Sequence, residues 1–213
     1  MKLAIFDFDG TLLRGNSYHL FFRWALRARP GRAPGLLFCL LLRWLGLVPA
    51  RFLKNRTLGI MRGLTGAEVS ALGRRLYAEL LAPRLRPAGL QEIATRRAGG
   101  CEIVLVTGAF DFLVAPLVEA QAIALWRATG VAFSNGRCEG VIGGVELAGE
   151  EKLRAVENLF AGQKVDWAAS WAYGDEEGDV SLLTHVGHPV WVKSHRLVPG
   201  WLSPACDLVD WDS

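Results

Sequence analysis

Cysteine is scarce and scattered: Cys39, Cys101, Cys138 and Cys206 lie far apart and form no CxxC pair. Such spacing argues against a zinc ribbon or a disulfide framework and favours a reducing compartment. Internal repeats and low-complexity tracts are missing too. The 24 glycines and 9 prolines follow no period, so collagen-like and solenoid architectures fall away. A membrane-spanning run is also lacking. The apolar stretch Leu36 to Val48 is 13 residues long and contains Arg43, against the roughly 20 residues a spanning helix needs. Asp7 and Asp9 interrupt the first apolar run, so no signal peptide is expected and a soluble, cytoplasmic protein is. What remains is ample material for a core. Of 213 residues, 51% are hydrophobic and 21% charged, which suits one domain of ordinary size or a core carrying one inserted subdomain.

Acidic residues are nearly absent from one region. Between Arg14 and Leu90 stand 14 lysines and arginines against two acids, Glu68 and Glu79, while the remainder carries 10 basic and 19 acidic residues. The formal charge of +3 therefore hides a basic insert within an acidic body. A basic insert suits an anionic partner: a phosphorylated metabolite, an anionic lipid surface or nucleic acid. A solvated arginine-rich face is the ordinary alternative.

Periodicity divides the chain in the same places. Lys2 to Phe8 reads as a buried strand ending at Asp-Gly. Helical spacing follows from Asn16 to about Arg27, stopped by Pro30-Gly31, then over Leu36–Val48 and Arg51–Met61. Thr65 and Glu68 have capping-box spacing for a fourth helix running to about Leu81, and a further helix is expected near Leu90 to Arg97. Beyond it strand and helix alternate. Glu102–Val106 is a strand, Phe112–Ala128 a helix, Asn135-Gly136 a hairpin turn, Glu150–Phe160 a helix, and Ala168–Tyr173 and Pro189–Val192 strands. The expected fold is α/β: a Rossmann-like parallel sheet with helices on both faces, formed by residues 1–13 and 88–213, with an all-helical cap at 14–87 inserted after the first strand.

Four polar elements fall at strand ends or helix starts, where open α/β sheets build their sites. Asp7-Phe8-Asp9-Gly10-Thr11 offers two carboxylates two residues apart, one a candidate nucleophile and the other a general acid. Gly10 would let the backbone approach a ligand, with free amides for an anion. Thr107-Gly108, at the expected start of a helix, suits a phosphate oxygen; a plain helix cap is the alternative. Lys152 alone could be a solvated lysine. Asp175 and Asp179, within Gly174-Asp-Glu-Glu-Gly-Asp179, suit a magnesium site or an acidic solvated loop. Together the four weigh more than separately. Asp7, Asp9, Asp175 and Asp179 in one crevice would repel by several kcal/mol at an effective dielectric of about 20. The set therefore calls for a dication, Mg²⁺, assisted by Lys152.

In order and strand context, Asp7-x-Asp9-Gly-Thr, Thr107-Gly108, Lys152 and Gly174-Asp175…Asp179 resemble the motifs of the haloacid dehalogenase superfamily. The helical insert and the segment before the last motif are similar to its phosphoserine-phosphatase-like branch (subfamily IB). That resemblance implies a phosphomonoester hydrolase. Asp7 would form an aspartyl-phosphate and Asp9 would act as acid and base. Thr107, the Gly108 amide and Lys152 would hold the phosphoryl oxygens, with Gly10 and Thr11 beside them. The metal would be held by Asp7, the Asp9 carbonyl and Asp175, with Asp179 in support. Where that branch places a glutamate for a substrate amine, this sequence has Asn16, which speaks against an amino-acid substrate. Asn16, His19, Arg23 and Arg27 share one helix face; if it looks into the crevice, Asn16 and Arg23 would meet a second anionic group.

The basic, leucine-rich cap is similar to that of phosphatidylglycerophosphate phosphatases. A lipid-like or polyanionic phosphate is therefore the expected substrate, with peripheral contact at an anionic membrane face. A small soluble metabolite, or an idle protein docking an anionic surface, are the competing readings. A nucleic-acid partner is not expected for want of a motif, and no obligate protein partner is inferred.

Overall fold

The computed structural model describes residues 1–194 and 205–212; the part of the expected 88–213 segment at 195–204 and 213 lies outside the described residues. Strand β1 (Lys2–Phe6) is followed by the helices α1 (Ser17–Ala28), α2 (Ala33–Trp44), α3 (Ala50–Leu58) and α4 (Gly66–Leu76), the last continuing as a π turn over Tyr77–Leu81. Then come α5 (Pro87–Ala98), β2 (Cys101–Phe110), α6 (Asp111–Ala120) and β3 (Leu125–Thr129). An antiparallel pair, β4 (Val131–Ser134) and β5 (Arg137–Ile142), precedes α7 (Glu150–Leu159). The chain closes with β6 (Trp171–Gly174), α8 (Val180–Leu183), β7 (His188–Val192) and β8 (Asp207–Val209).

Local chemistry accounts for the boundaries. Asn16 caps α1, its side-chain oxygen accepting from the His19 amide at 3.1 Å. Thr65 and Glu68 close a reciprocal capping box on α4, with Thr65 N donating to Glu68 Oε2 at 2.8 Å. Asn135 and Gly136 take positive φ values of 49° and 73°, the conformation a two-residue hairpin needs and these residue types tolerate.

Six strands form one parallel sheet in the order β3-β2-β1-β6-β7-β8. Alternation along β1 sends Leu3 and Ile5 to one face, with Val156 of α7 and Leu182 and Leu183 of α8. Ala4 and Phe6 go to the other, with Ile93 of α5 and Leu113 and Leu117 of α6. A strand buried on both faces belongs in the middle of a parallel sheet. The chain leaves β1 toward β2 and later returns on its other side to β6. The C-terminal ends of β1 and β6 therefore flank the switch point, where open sheets leave a crevice.

The structure corrects two boundaries. Phe112–Ala128 is not one helix: α6 ends at Ala120, and Leu125–Thr129 pairs with β2 as the edge strand β3. Its apolar residues matched a helical period, but the turn at Ala122, with φ of 48°, breaks it. Likewise Thr107 and Gly108 do not start a helix. They lie within β2, whose register with β3 shifts between Thr107 and Phe110. Strand β8 had no counterpart in the sequence pattern. Among the described residues, no helix is long and apolar enough to cross a membrane.

Helix α4 packs on the start of α6 through Gly73, where an added Cβ would lie 2.0 Å from the Phe112 carbonyl oxygen. Alanine is the better helix former by about 1 kcal/mol, yet backbone cannot move aside cheaply. Gly73→Ala should therefore lower stability by about 1–3 kcal/mol in urea unfolding. An unchanged or raised midpoint would contradict this packing.

Candidate active site

Asp7 follows β1 directly, its amide still donating to the Tyr173 carbonyl of β6 at 3.0 Å. Asp175 follows β6, and Asp179 ends the short turn Glu177–Asp179. One carboxylate oxygen from each of Asp7, Asp175 and Asp179 lies within 4.8 Å of the others, and all three residues are buried. Lys152, on the first turns of α7 and 1% exposed, reaches into the group. Its Nζ stands 3.0 Å from Asp7 Oδ1 and 2.6 Å from Asp179 Oδ1.

The backbone is shaped around these side chains. Asp179 Oδ2 accepts from the amides of Asp175 at 3.2 Å and Glu176 at 3.3 Å, which ties the loop across the end of β6. A Cβ at Gly174 would come within 2.5 Å of the Asp179 side chain, and one at Gly10 within 2.0 Å of the Asp175 carboxylate. Both glycines are there because carboxylates occupy the space. The loop also holds α7: Gly149 N donates to the Gly178 carbonyl at 3.1 Å, and Ser181 Oγ donates to the Gly149 carbonyl at 2.8 Å. Lys152 is thereby aimed.

Burial dominates the electrostatics. It pushes the Asp7 carboxyl well above the usual carboxylate range, and the nearby Lys152 offsets this only in part. Burial also opposes the charge on Lys152, but Asp179 and Asp7 outweigh it and raise its pKa. Asp9 is pushed up to about 6 by burial, against two hydrogen bonds from Ser17: its amide at 2.8 Å and its hydroxyl at 2.9 Å. A carboxyl group in that range gives and takes a proton close to neutral pH. Fully ionised, the three carboxyls against one ammonium would carry a buried excess of two negative charges, on hard oxygen donors. That donor set fits Mg²⁺. The Asp9 carboxylate stands outside it, bound to Ser17.

A cavity of about 740 Å³ opens above this floor. Asp7, Asp9, Lys152, Thr107 and Gly108 line its base, and Tyr18, Phe22, Leu40, Leu53 and Leu147 its apolar wall. Asn16, His19, Arg23, Arg43 and Lys54 also face it. Arg27, expected on the same helix face, does not line it. Two other expectations are corrected. The Gly10 amide is not free for an anion, since it donates to the Gly15 carbonyl at 2.9 Å. Thr11 is fully buried and lines no part of the cavity.

Several residues of the site escaped sequence reasoning. Ser17 carried a faint signal, a hydroxyl at a helix start close to Asp9. Arg86 carried none. It is 2% exposed, its guanidinium donates to the carbonyls of Gly10 and, at 2.9 Å, Thr11, and it grips Asp212 in two bonds of 2.9 Å. Residues 126 positions apart thus clamp the loop after Asp9. Lys54 pairs with Glu146 on the cavity wall, joining α3 to the segment before α7.

Comparison with known proteins bears on the family and the fold. The model of the haloacid dehalogenase-like hydrolases matches residues 4–184. Protein CicA of Caulobacter vibrioides is 33% identical over 193 residues, covering 85% of this chain and 81% of the relative. A crystal structure of a Bordetella pertussis Tohama I protein of unknown function superposes with a TM-score of 0.84 at 25% identity, covering 99% and 98% of the two chains. A phosphoserine phosphatase, solved as a phospho-aspartyl intermediate analogue, shares the fold with a TM-score of 0.61 at 19% identity over 91% and 87% of the two chains.

The buried charge excess has a measurable consequence. Mg²⁺ should raise the melting temperature of the protein, since an ion held by the folded cluster alone would stabilise the folded state. Lys152→Met removes the fixed cation, so the EDTA-treated variant should melt well below the wild type. Mg²⁺ should then recover a larger share of the difference. Equal melting temperatures with and without Mg²⁺ in both proteins would contradict the assignment.

Proposed function

The chain belongs to the haloacid dehalogenase-like hydrolases, and from that membership we propose a magnesium-dependent phosphomonoesterase that works through an aspartyl-phosphate on Asp7. The observation that carries this is the cavity floor. Asp7 and Asp9, two residues apart, both face the space a substrate would occupy, and Lys152 stands 3.0 Å from Asp7.

An oxygen of the Asp7 carboxylate attacks phosphorus while the bond to the leaving alkoxide breaks, and Asp9 gives its proton to that alkoxide. Water then attacks the phosphoryl group on Asp7. Asp9, now a carboxylate, takes the water proton, and inorganic phosphate and free Asp7 result. Thr107, the Gly108 amide and Lys152 hold the phosphoryl oxygens as charge spreads over them. A Cβ at Gly108 would lie 2.9 Å from the Leu147 carbonyl, so glycine keeps this strand close to the opposite wall. When bound, magnesium supplies positive charge that favours ionised Asp7 and offsets the phosphoryl oxygens. Asp7, Asp175 and the Asp9 carbonyl would hold it, with Asp179 in support.

The cavity wall supports a substrate with an apolar portion and more than one anionic group. Tyr18, Phe22, Leu40 and Leu53 suit the first, and Arg23 and Arg43 the second. Asn16 offers no negative charge for an amine, and its side-chain oxygen is engaged at the start of α1. We read the substrate as a lipid-like phosphate, and propose a cytoplasmic protein that works peripherally at the inner membrane face.

p-Nitrophenyl phosphate should be turned over with Mg²⁺ and not with EDTA. Asp7→Asn should abolish turnover, and Asp9→Asn should lower kcat for an alkyl phosphate about 10²–10⁴-fold. Acid-quenched wild type should carry one phosphoryl group on the Asp7 peptide by mass spectrometry. Full activity in Asp7→Asn would overturn the mechanism. Among phosphate monoesters of one headgroup, kcat/KM should rise with acyl length; a flat series would favour a soluble metabolite.

A further inference from the structure

Helix α2 is apolar on nearly all sides. Leu36 and Cys39 face inward, against Phe22, Ala25 and Leu53. The outer side should be polar in a helix bounded by water. Instead, Leu37, Phe38 and Leu41 are about half exposed, at 49%, 59% and 48%. Trp44 reaches 80%, and Leu45 and Leu47, just past the helix end, 52% and 68%. Positions 37, 41, 44 and 45, with 38 alongside, fall at helical spacing and make one contiguous stripe. Isolated exposed leucines need no explanation, whereas a contiguous stripe that carries two aromatics, Phe38 and Trp44, marks a docking surface.

Charge identifies what it docks on. Residues 14–67 contain ten lysines and arginines and no acid. Arg29 and Arg32 are exposed beside the start of α2. A second copy of the chain would bring two such basic stretches together, and a neutral apolar partner would leave them without counter-charge. We propose that the outer face of α2 seats on an anionic bilayer surface, with Phe38, Leu41 and Trp44 entering the headgroup–acyl boundary and the arginines meeting lipid phosphates. The helix has 12 residues, about 18 Å at its usual rise, so it lies along the surface and does not cross.

The placement also orients the site. Leu40 and Arg43 of α2 line the cavity that ends at Asp7, so the docked helix would border the bilayer on one side and the substrate path on the other. This last point rests on the phosphatase reading; the docking itself does not.

The test uses the full chain and two kinds of vesicle, phosphatidylcholine alone and phosphatidylcholine with phosphatidylglycerol. The protein should co-sediment with the anionic vesicles at low salt, progressively less as salt rises, and at least tenfold more weakly with the neutral ones. The variant F38S/W44S should bind the anionic vesicles at least tenfold more weakly, with p-nitrophenyl phosphate turnover unchanged, which also shows that it folds. Absence of co-sedimentation at low salt would overturn the proposal. So would a concentration-dependent dimer in lipid-free sedimentation equilibrium that F38S/W44S dissociates, since a second copy would then own the face. Turnover without vesicle binding would sink the docking and leave the phosphatase standing; binding without turnover would do the reverse.

Discussion

The Lys152 ammonium, held between Asp7 and Asp179 with almost no access to water, is the constraint around which the rest of the molecule is arranged. Three carboxylates converging within 4.8 Å would repel one another by a few kcal/mol per pair even at an effective dielectric of about 20. One fixed cation offsets only part of this. The parallel sheet supplies the rigidity that keeps them together, because Asp7 and Asp175 leave adjacent strands at the same end. Gly10 and Gly174 supply the room. Such a cluster of hard oxygen donors is a fitting place for a dication, on which the proposed reaction would draw.

Chemistry and selection are housed separately. Every residue assigned to bond making comes from loops at the ends of β1 and β6, from β2 or from α7, all parts of the sheet layer. The helices after β1 build the wall. They are fastened to the layer by specific contacts: Arg51 donates to the Gly144 carbonyl at 2.9 Å, Asn55 accepts from the Ile142 amide at 2.8 Å, and Lys54 pairs with Glu146. Phe21 of α1 packs edge-on against Phe112 of α6, with ring centroids 5.5 Å apart. A wall tied at one side and apolar on its outer surface can set which phosphate ester enters without touching the reacting atoms.

Much of this was legible in the sequence, and the parts that were not share a physical cause. Strands buried on both faces, such as β1, announce themselves as short apolar runs, and the carboxylates that follow them are conspicuous because they are expensive to bury. Asp7, Asp175 and Asp179 could be singled out for that reason; Lys152, on a helix, stood out only in the company of the other motifs. Local capping was readable at Thr65 and Glu68, where three residues contain the whole interaction. Edge strands were not. β3 alternates weakly, and its Leu125 and Trp126 sit equally well on a helical period, so only the pairing with β2 decides. Gly10 misled, because a glycine beside an acid can make room for a ligand or for another residue, and here it was Asp175. Arg86 was invisible, since its partners Gly10, Thr11 and Asp212 are brought to it by the completed fold.

Calorimetric titration of Mg²⁺ into the EDTA-stripped protein, beside Asp175→Asn, addresses the central claim most directly. Asp175 contributes a donor to the cluster without taking part in the covalent step. The account predicts saturable binding of the ion to the wild type and its loss in the variant, with the fold of both intact by circular dichroism. Equal binding to the two proteins would show that the ion, if it acts, sits elsewhere, and the buried carboxylates would need another explanation.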